Sequence, residues 1–297
     1  MPRPRPAFEI QGHRGARGLF PENTLEGFER AIGLGVDALE LDVGLTRDGI
    51  PVVFHDLTLS PDIVRKADGA WVSPGLAIRD LTRAELALYD VGRLRPGSDY
   101  ARRYPEQTAI DGAVIPDLEA VLRLAQGHAV RVDIELKTRP DRPDLAASPI
   151  EMAECVMALV DRLGVSDGID VRAFDWRPLV HLRRTRPEAP LTWLTNVATE
   201  RDPALWWGAT TGTDPIAAIL AVAGERDGLG CWAPEGSGLT RERIVRAHAA
   251  GLRVVPWTIN EPTEMARLIA WGVDGICTDR PDIARQIRGK SGRGSGH

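Results

Sequence analysis

His13 and His55 are two of only six histidines in the chain, and each closes a short apolar run. His13 stands in Gly12-His13-Arg14-Gly15, and His55 in Phe54-His55-Asp56. Between them, Glu40-Leu41-Asp42 interrupts another apolar run. Strand alternation puts Glu40 and Asp42 on one face and Leu39, Leu41 and Val43 on the other. The run VRVDIELK repeats the pattern, with Arg131, Asp133, Glu135 and Lys137 on one face and Val130, Val132, Ile134 and Leu136 on the other. Charges facing the inside of a barrel are costly unless paired or bound to a metal. Pairing with Arg131 and Lys137 explains one strand, but not two further carboxylates on a neighbouring one. Glu40, Asp42 and Glu135 offer oxygen alone, which suits Mg²⁺ or Ca²⁺ rather than zinc or copper. Imidazole titrates near neutrality, so two histidines beside such a cluster form an acid/base pair. A divalent cation there stabilises charge on a phosphoryl oxygen, and Arg14 and Lys137 are candidate phosphate contacts. The set points to metal-assisted phosphodiester chemistry. Metal-assisted carbonyl chemistry uses similar parts and stays open at this stage.

The elements that must position these groups follow from periodicity. Strands are expected near 8–12, 37–45, 50–55, 130–136, 169–174, 190–195, 229–233, 253–258 and 275–278. Helices are expected near 24–34, 117–126, 149–163, 176–185, 214–225, 240–250, 261–271 and 281–288. Asn23-Thr24 reads as a helix start, with Asn23 a candidate cap; Gly251 and Gly272 read as stops. Only Thr46-Arg47-Asp48-Gly49 separates the second strand from the third. A parallel crossover needs about a dozen residues, so these two are antiparallel, turning at Asp48-Gly49. Removing that return strand leaves eight parallel strands, each followed by a helix: an α/β (β/α)₈ TIM barrel. Residues 57–115 fit no such unit and read as an insertion above the barrel, with a helical patch at 82–89. Residues 201–214, containing Trp206-Trp207, read as a second long loop. The expected organisation is a single barrel domain over 1–288 and a flexible Gly/Ser-rich tail over 289–297.

Composition sets the outer limits. The chain has 297 residues, 43% hydrophobic and 27% charged, which suits one large soluble domain rather than a disordered or disulfide-stapled chain. A net charge of −5 argues against a general nucleic-acid binder. No apolar run is long enough for a membrane span, so stable membrane insertion is not expected. The start lacks the apolar stretch of a secretory signal, so a cytoplasmic location is expected. Cys155, Cys231 and Cys277 are odd in number and widely spaced, a pattern of buried thiols rather than bridges or zinc ligands.

The stretches GHRGARGLFPENTLEGFERAIGLGVDALELDVGLTRDGIPVVFHDLTL, IPDLEAVL, VDIELK, VPWTIN and GVDGICTDRPD together resemble the glycerophosphodiester phosphodiesterase family. They run in the family's order and span nearly the whole chain. The resemblance implies a phospholipase-C-like barrel, a divalent cation, and hydrolysis of small glycerophosphodiesters to an alcohol and glycerol 3-phosphate. It implies His13 and His55 as the acid/base pair, and Glu40, Asp42 and Glu135 as metal ligands. Arg14 and Lys137 would contact phosphate, Trp257 would pack on the glycerol or alcohol moiety, and Glu22 and Asn23 would shape the loop over the first strand. The insertion after the catalytic hairpin also matches the family. One departure is Arg172-Ala173-Phe174-Asp175, where family members commonly carry Ser before Phe-Asp. The eight tryptophans are a second peculiarity. Trp71, Trp206 and Trp207 fall in the long loops, where they either cover the barrel mouth or line a pocket for a bulky alcohol. The latter would suit the alternative reading, a phosphodiesterase of this barrel acting on lysophospholipid or related lipids.

Overall fold

A computed structural model describes residues 4–208, 212–223 and 230–291. Its strands are β1 (Glu9–Gly12), β2 (Ala38–Leu45), β3 (Pro51–Val53), β4 (Arg131–Leu136), β5 (Ile169–Ala173), β6 (Leu191–Thr195), β7 (Cys231–Pro234), β8 (Arg253–Val254) and β9 (Gly275–Thr278). Eight are parallel, in the spatial order β8-β7-β6-β5-β4-β2-β1-β9, and β3 pairs antiparallel with β2 off that path. Backbone bonds from Asp274 N to Val254 O, Cys277 N to Pro256 O and Ile259 N to Cys277 O bring the two ends together. The result is a nearly closed barrel. β8 is short because Pro256 has no N–H to continue a ladder.

Crossover helices follow the parallel strands: α1 (Leu25–Leu34) after β1, and in the β2–β4 connection α2 (Arg83–Leu86), α3 (Asp99–Arg103) and α4 (Leu118–Gly127). Then come α5 (Pro149–Leu163), α6 (Arg177–Thr185), α7 (Val197–Arg201), α8 (Pro203–Trp207), α9 (Pro215–Ala223), α10 (Arg241–Ala249), α11 (Pro262–Trp271) and α12 (Pro281–Ser291). Their apolar faces meet the outward side chains of the strands. Leu39, Leu41, Val132, Ile134 and Phe28 are buried in one core that runs around the barrel. Trp176 lies stacked on Trp207 with ring centres 4.6 Å apart, and edge-on to Trp193 at 5.1 Å. Its indole N–H is satisfied by Leu194 O at 3.1 Å, as a buried Trp requires.

The insertion has its own apolar cluster, including Leu59, Val64, Ile78, Leu86 and Ile115, seated on Val52 and Phe54 of the return strand. Several boundaries differ from expectation: the strands expected over 50–55 and 253–258 contract to β3 and β8. The helical patch at 82–89 contracts to α2, started by a capping box between Thr82 and Glu85. The 201–214 loop contains α8, capped by Asp202 with Pro203 in the first turn. α12 continues to Ser291, past the expected boundary at 288, while the rest of the expected tail lies outside the described residues. The expected helix end at 224–225 and strand start at 229 also lie outside them. No helix among the described residues is long and apolar enough to cross a membrane.

The barrel interior is charged below the mouth. Arg5, ahead of β1, reaches Asp170 on β5, and Arg131 on β4 reaches the same carboxylate. Arg253 closes on Glu9 at 3.0 Å. One layer higher, Arg172 donates to Asp133 and Gln11. Each cation is paired with at least one acid, the condition under which such burial is tolerated.

Candidate functional site at the barrel mouth

The chemistry-bearing side chains gather where the parallel strands end. Gly12 makes the tight entry to the β1 loop: a Cβ there would lie 2.0 Å from Gly15 O. His13 then projects into the mouth, and its Nδ1 lies 2.7 Å from Asp279 Oδ1, just beyond β9. Asp279 is held far below the usual carboxylate range. Burial alone would raise it, but His13 and Arg17 overcome that. A carboxylate only accepts, so Nδ1 carries the proton and Nε2 presents its lone pair to the site. That Nε2 is 3.9 Å from Glu40 Oε2. Burial, with the nearby Arg17, lowers His13 to about 4, so the ring is neutral at pH 7.

The return strand delivers His55. Val43 pairs with Val53, and Phe54 N donates to Asp42 O at 2.9 Å, which brings His55 level with the Glu40–Asp42 pair. His55 Nδ1 lies 2.6 Å from Asp56 Oδ1, and its side chain is 34% exposed, open to an incoming ligand. Burial and the nearby Arg14 and Lys137 lower its pKa. Asp56 is depressed against burial by the His55 bond, so here too Nδ1 is the donor.

Glu40, Asp42 and Glu135 come together because β2 and β4 pair in register, Glu40 beside Asp133 and Asp42 beside Glu135. One oxygen from each lies within 4.8 Å of the others, and all three residues are buried. Burial and Asp42 push Glu40 up to about 8. Asp42 is held well below its ordinary value: burial opposes this, and Lys137, His55 and Arg14 outweigh it. An oxygen-only set in which one carboxylate resists ionisation beside another fits a hard divalent cation, whose charge relieves that repulsion.

The two candidate phosphate contacts are engaged with acids. Lys137 Nζ donates to Glu135 at 2.6 Å and stands 3.2 Å from Asp42. Arg14 donates through its guanidinium to Glu22 at 2.7 Å, lies 3.3 Å from Asp42, and donates its backbone N–H to Glu40 at 2.9 Å. Arg131 takes no part in the cluster, since it serves the barrel floor. Asn23 does not cap α1; Thr24 does, accepting from Gly27 N at 3.0 Å. Asn23 adopts φ of 55°, a conformation Asn tolerates, and donates to Asp42 at 2.9 Å. It therefore positions the acidic cluster. Trp257 lines the cavity edge-on to Phe174 at 5.2 Å, with its indole N–H given to Ala233 O.

A cavity of about 140 Å³ joins His13, Arg14, Glu40, His55, Glu135 and Trp257. A larger cavity of about 780 Å³ lies outside the barrel between α6 and α9 and contains none of these residues. The loop tryptophans do not line the smaller cavity. Trp207 is buried on Trp176, Trp206 lies under the Arg139 guanidinium, and Trp71 under that of Arg65.

The family model for glycerophosphoryl diester phosphodiesterases matches residues 13–283. The chain belongs to this family. It is 31% identical over 284 residues to a glycerophosphodiester phosphodiesterase of Bacillus altitudinis, covering 94% of this chain and 98% of that one. Among solved structures, it matches a chain of Silicibacter pomeroyi assigned to glycerophosphoryl diester phosphodiesterase. There the TM-score is 0.86 and the identity 35%, with 98% of this chain and 96% of the other covered. An Oleispira antarctica phosphodiesterase, solved with the product sn-glycerol-3-phosphate, shares the fold at 23% identity and a TM-score of 0.71, with 95% and 96% covered.

Sequence reasoning missed Asp279, Arg17, Arg172 and Tyr100. Asp279 satisfied the criterion used for the others, a polar group just past a strand's C-terminal end, and stands in the quoted stretch GVDGICTDRPD. Tyr100 of α3, which donates to Glu22 and accepts from Arg17, carried no local signal, because those contacts are set by how the insertion folds back.

Proposed function

We propose that this family member hydrolyses glycerophosphodiesters to an alcohol and glycerol 3-phosphate. The observation that carries the reading is the pair of histidines, each anchored at Nδ1 by a carboxylate, on either side of an oxygen-only acidic cluster. Glu40, Asp42 and Glu135 would hold one divalent cation, Mg²⁺ or Ca²⁺, which supplies positive charge to the phosphoryl oxygens when bound. Arg14 and Lys137 add positive charge at the same place, and both have carboxylate partners that anchor them. One histidine takes the proton of the glycerol 2-hydroxyl as that oxygen forms a bond to phosphorus. The other, which must enter the complex protonated at Nε2 as well as at Nδ1, beside the anionic phosphodiester, gives its Nε2 proton to the departing alkoxide as the P–O bond breaks. A water then opens the five-membered cyclic phosphate with the roles reversed, leaving glycerol 3-phosphate. Direct attack by water uses the same pair in a single displacement. Trp257, against Phe174, gives the glycerol carbons an apolar wall.

The cavity's size and its polar lining favour small, water-soluble diesters. The positions of Trp71, Trp206 and Trp207 remove the sequence argument for a lipid channel. Phosphorus NMR of a digest of glycerophosphocholine and glycerophosphoethanolamine tests the reading. Growth of the glycerol 3-phosphate resonance is expected. Appearance of phosphocholine or phosphoethanolamine instead places the cut on the other P–O bond and overturns it.

A further inference from the structure

The insertion reaches the site at one point that the catalytic set does not explain. Tyr100, in α3, donates its hydroxyl to Glu22 and accepts from Arg17 Nη1 at 3.2 Å. Each partner holds a different part of the machinery. Glu22 accepts from the guanidinium of Arg14, which stands against Asp42. Arg17 grips both oxygens of Asp279 at 3.0 Å, and Asp279 orients His13. The same segment is fastened to the β1 loop by backbone-level contacts: Gln107 Nε2 donates to Arg17 O, and Thr108 N to Leu19 O, both at 2.8 Å. Tyr104 completes the seat, stacked under the Arg17 guanidinium at 4.8 Å and edge-on to Tyr100 at 5.2 Å. Arg14 itself adopts φ of 51°, a conformation a non-glycine residue keeps only when its surroundings hold it.

We propose that Tyr100 is a positioning residue for catalysis, its hydroxyl joining the insertion to Glu22 and Arg17 and so fixing Arg14 and the Asp279–His13 pair. Tyr100 touches no reacting atom; it acts through those two neighbours. The insertion thereby sets the geometry of the site as well as covering it. The inference rests on the glycerophosphodiesterase reading above.

The test is Tyr100→Phe, which removes only the hydroxyl, with Tyr89→Phe as control, a tyrosine packed on the insertion's own apolar cluster. Glycerophosphocholine turnover is measured below the onset of melting for every variant. The expected result is a loss in kcat of tenfold or more for Tyr100→Phe, KM within about twofold, and both constants unchanged for Tyr89→Phe. Glu22→Gln is then combined with Tyr100→Phe: residues acting through one another are non-additive, so the double variant should lose little more than the worse single. An active wild type with an unchanged Tyr100→Phe overturns this inference alone, as do fully additive losses in the double variant. A wild type that turns over no glycerophosphodiester overturns the functional reading, and this one with it.

Discussion

His13 and His55 each reach the mouth with one nitrogen already committed to a carboxylate, so the other is left aimed at the site. General acid–base groups contribute about 10²–10⁴-fold to turnover, so His13→Ala and His55→Ala should each lose that much kcat while circular dichroism remains native. Asp279→Asn keeps the shape but lets the His13 tautomer reverse, and a loss of about 10²-fold or more is expected from it. Near-normal rates in all three would remove the acid/base assignment. Burial of His13 also has a thermodynamic signature. Its pKa falls from 6.5 to about 4 on folding, so between those values the unfolded chain binds a proton that the native ring refuses. Its contribution is therefore lost as pH falls from 6.5 towards 4. Glu40, raised to about 8, acts in the opposite sense, its burden growing as pH rises from 4.5. The difference in stability between wild type and His13→Gln isolates the histidine. By urea titration at pH 7, 5.5 and 4 that difference should shrink on acidification by on the order of 2–3 kcal/mol. A difference independent of pH would contradict a buried neutral imidazole.

At the scale of elements, what was legible in the sequence was whatever periodicity controls. The β2–β3 hairpin followed from loop length, since four residues cannot make a parallel crossover. The pairing of Glu40 and Asp42 with Glu135 followed from alternation on two strands, β2 and β4, that turned out to be neighbours. What was not legible depends on contacts distant in sequence. The Asp279–His13 bond spans 266 residues and Tyr100–Glu22 spans 78. Nothing in the local pattern around Tyr100 distinguishes it from a surface tyrosine. Arg5 carried no signal in its local sequence, and it is a charge seated beneath the barrel. The tryptophans left cover and pocket both open for a related reason: the choice depends on α8, which turns Trp207 inward to stack on Trp176. That stack is a structural commitment. Trp176→Ala should destabilise the fold by about 3–5 kcal/mol in urea unfolding, and a cost under about 1 kcal/mol would show that the stack contributes little.

Taken whole, the molecule separates two tasks within one barrel. The floor and the middle layer carry a network of buried ion pairs whose members are mutually neutralised, while the mouth concentrates acids beside neutral imidazoles. Burial pushes Asp133 up to about 7 even with Arg172 beside it, so the middle layer is close to its tolerance for charge. At the mouth, burial and Asp42 raise Glu40, a strain that a divalent cation on these carboxylates would relieve. The central claim is thus that a divalent cation on Glu40, Asp42 and Glu135 is required for two-histidine cleavage of a glycerophosphodiester. The most direct measurement is glycerol 3-phosphate release from glycerophosphocholine by chelator-treated protein, before and after adding Mg²⁺ or Ca²⁺, with Glu135→Gln alongside. The account predicts negligible release after chelation, recovery with one of the two ions, and at most weak recovery in the variant. Full activity in the chelated protein, or equal recovery in Glu135→Gln, would contradict it.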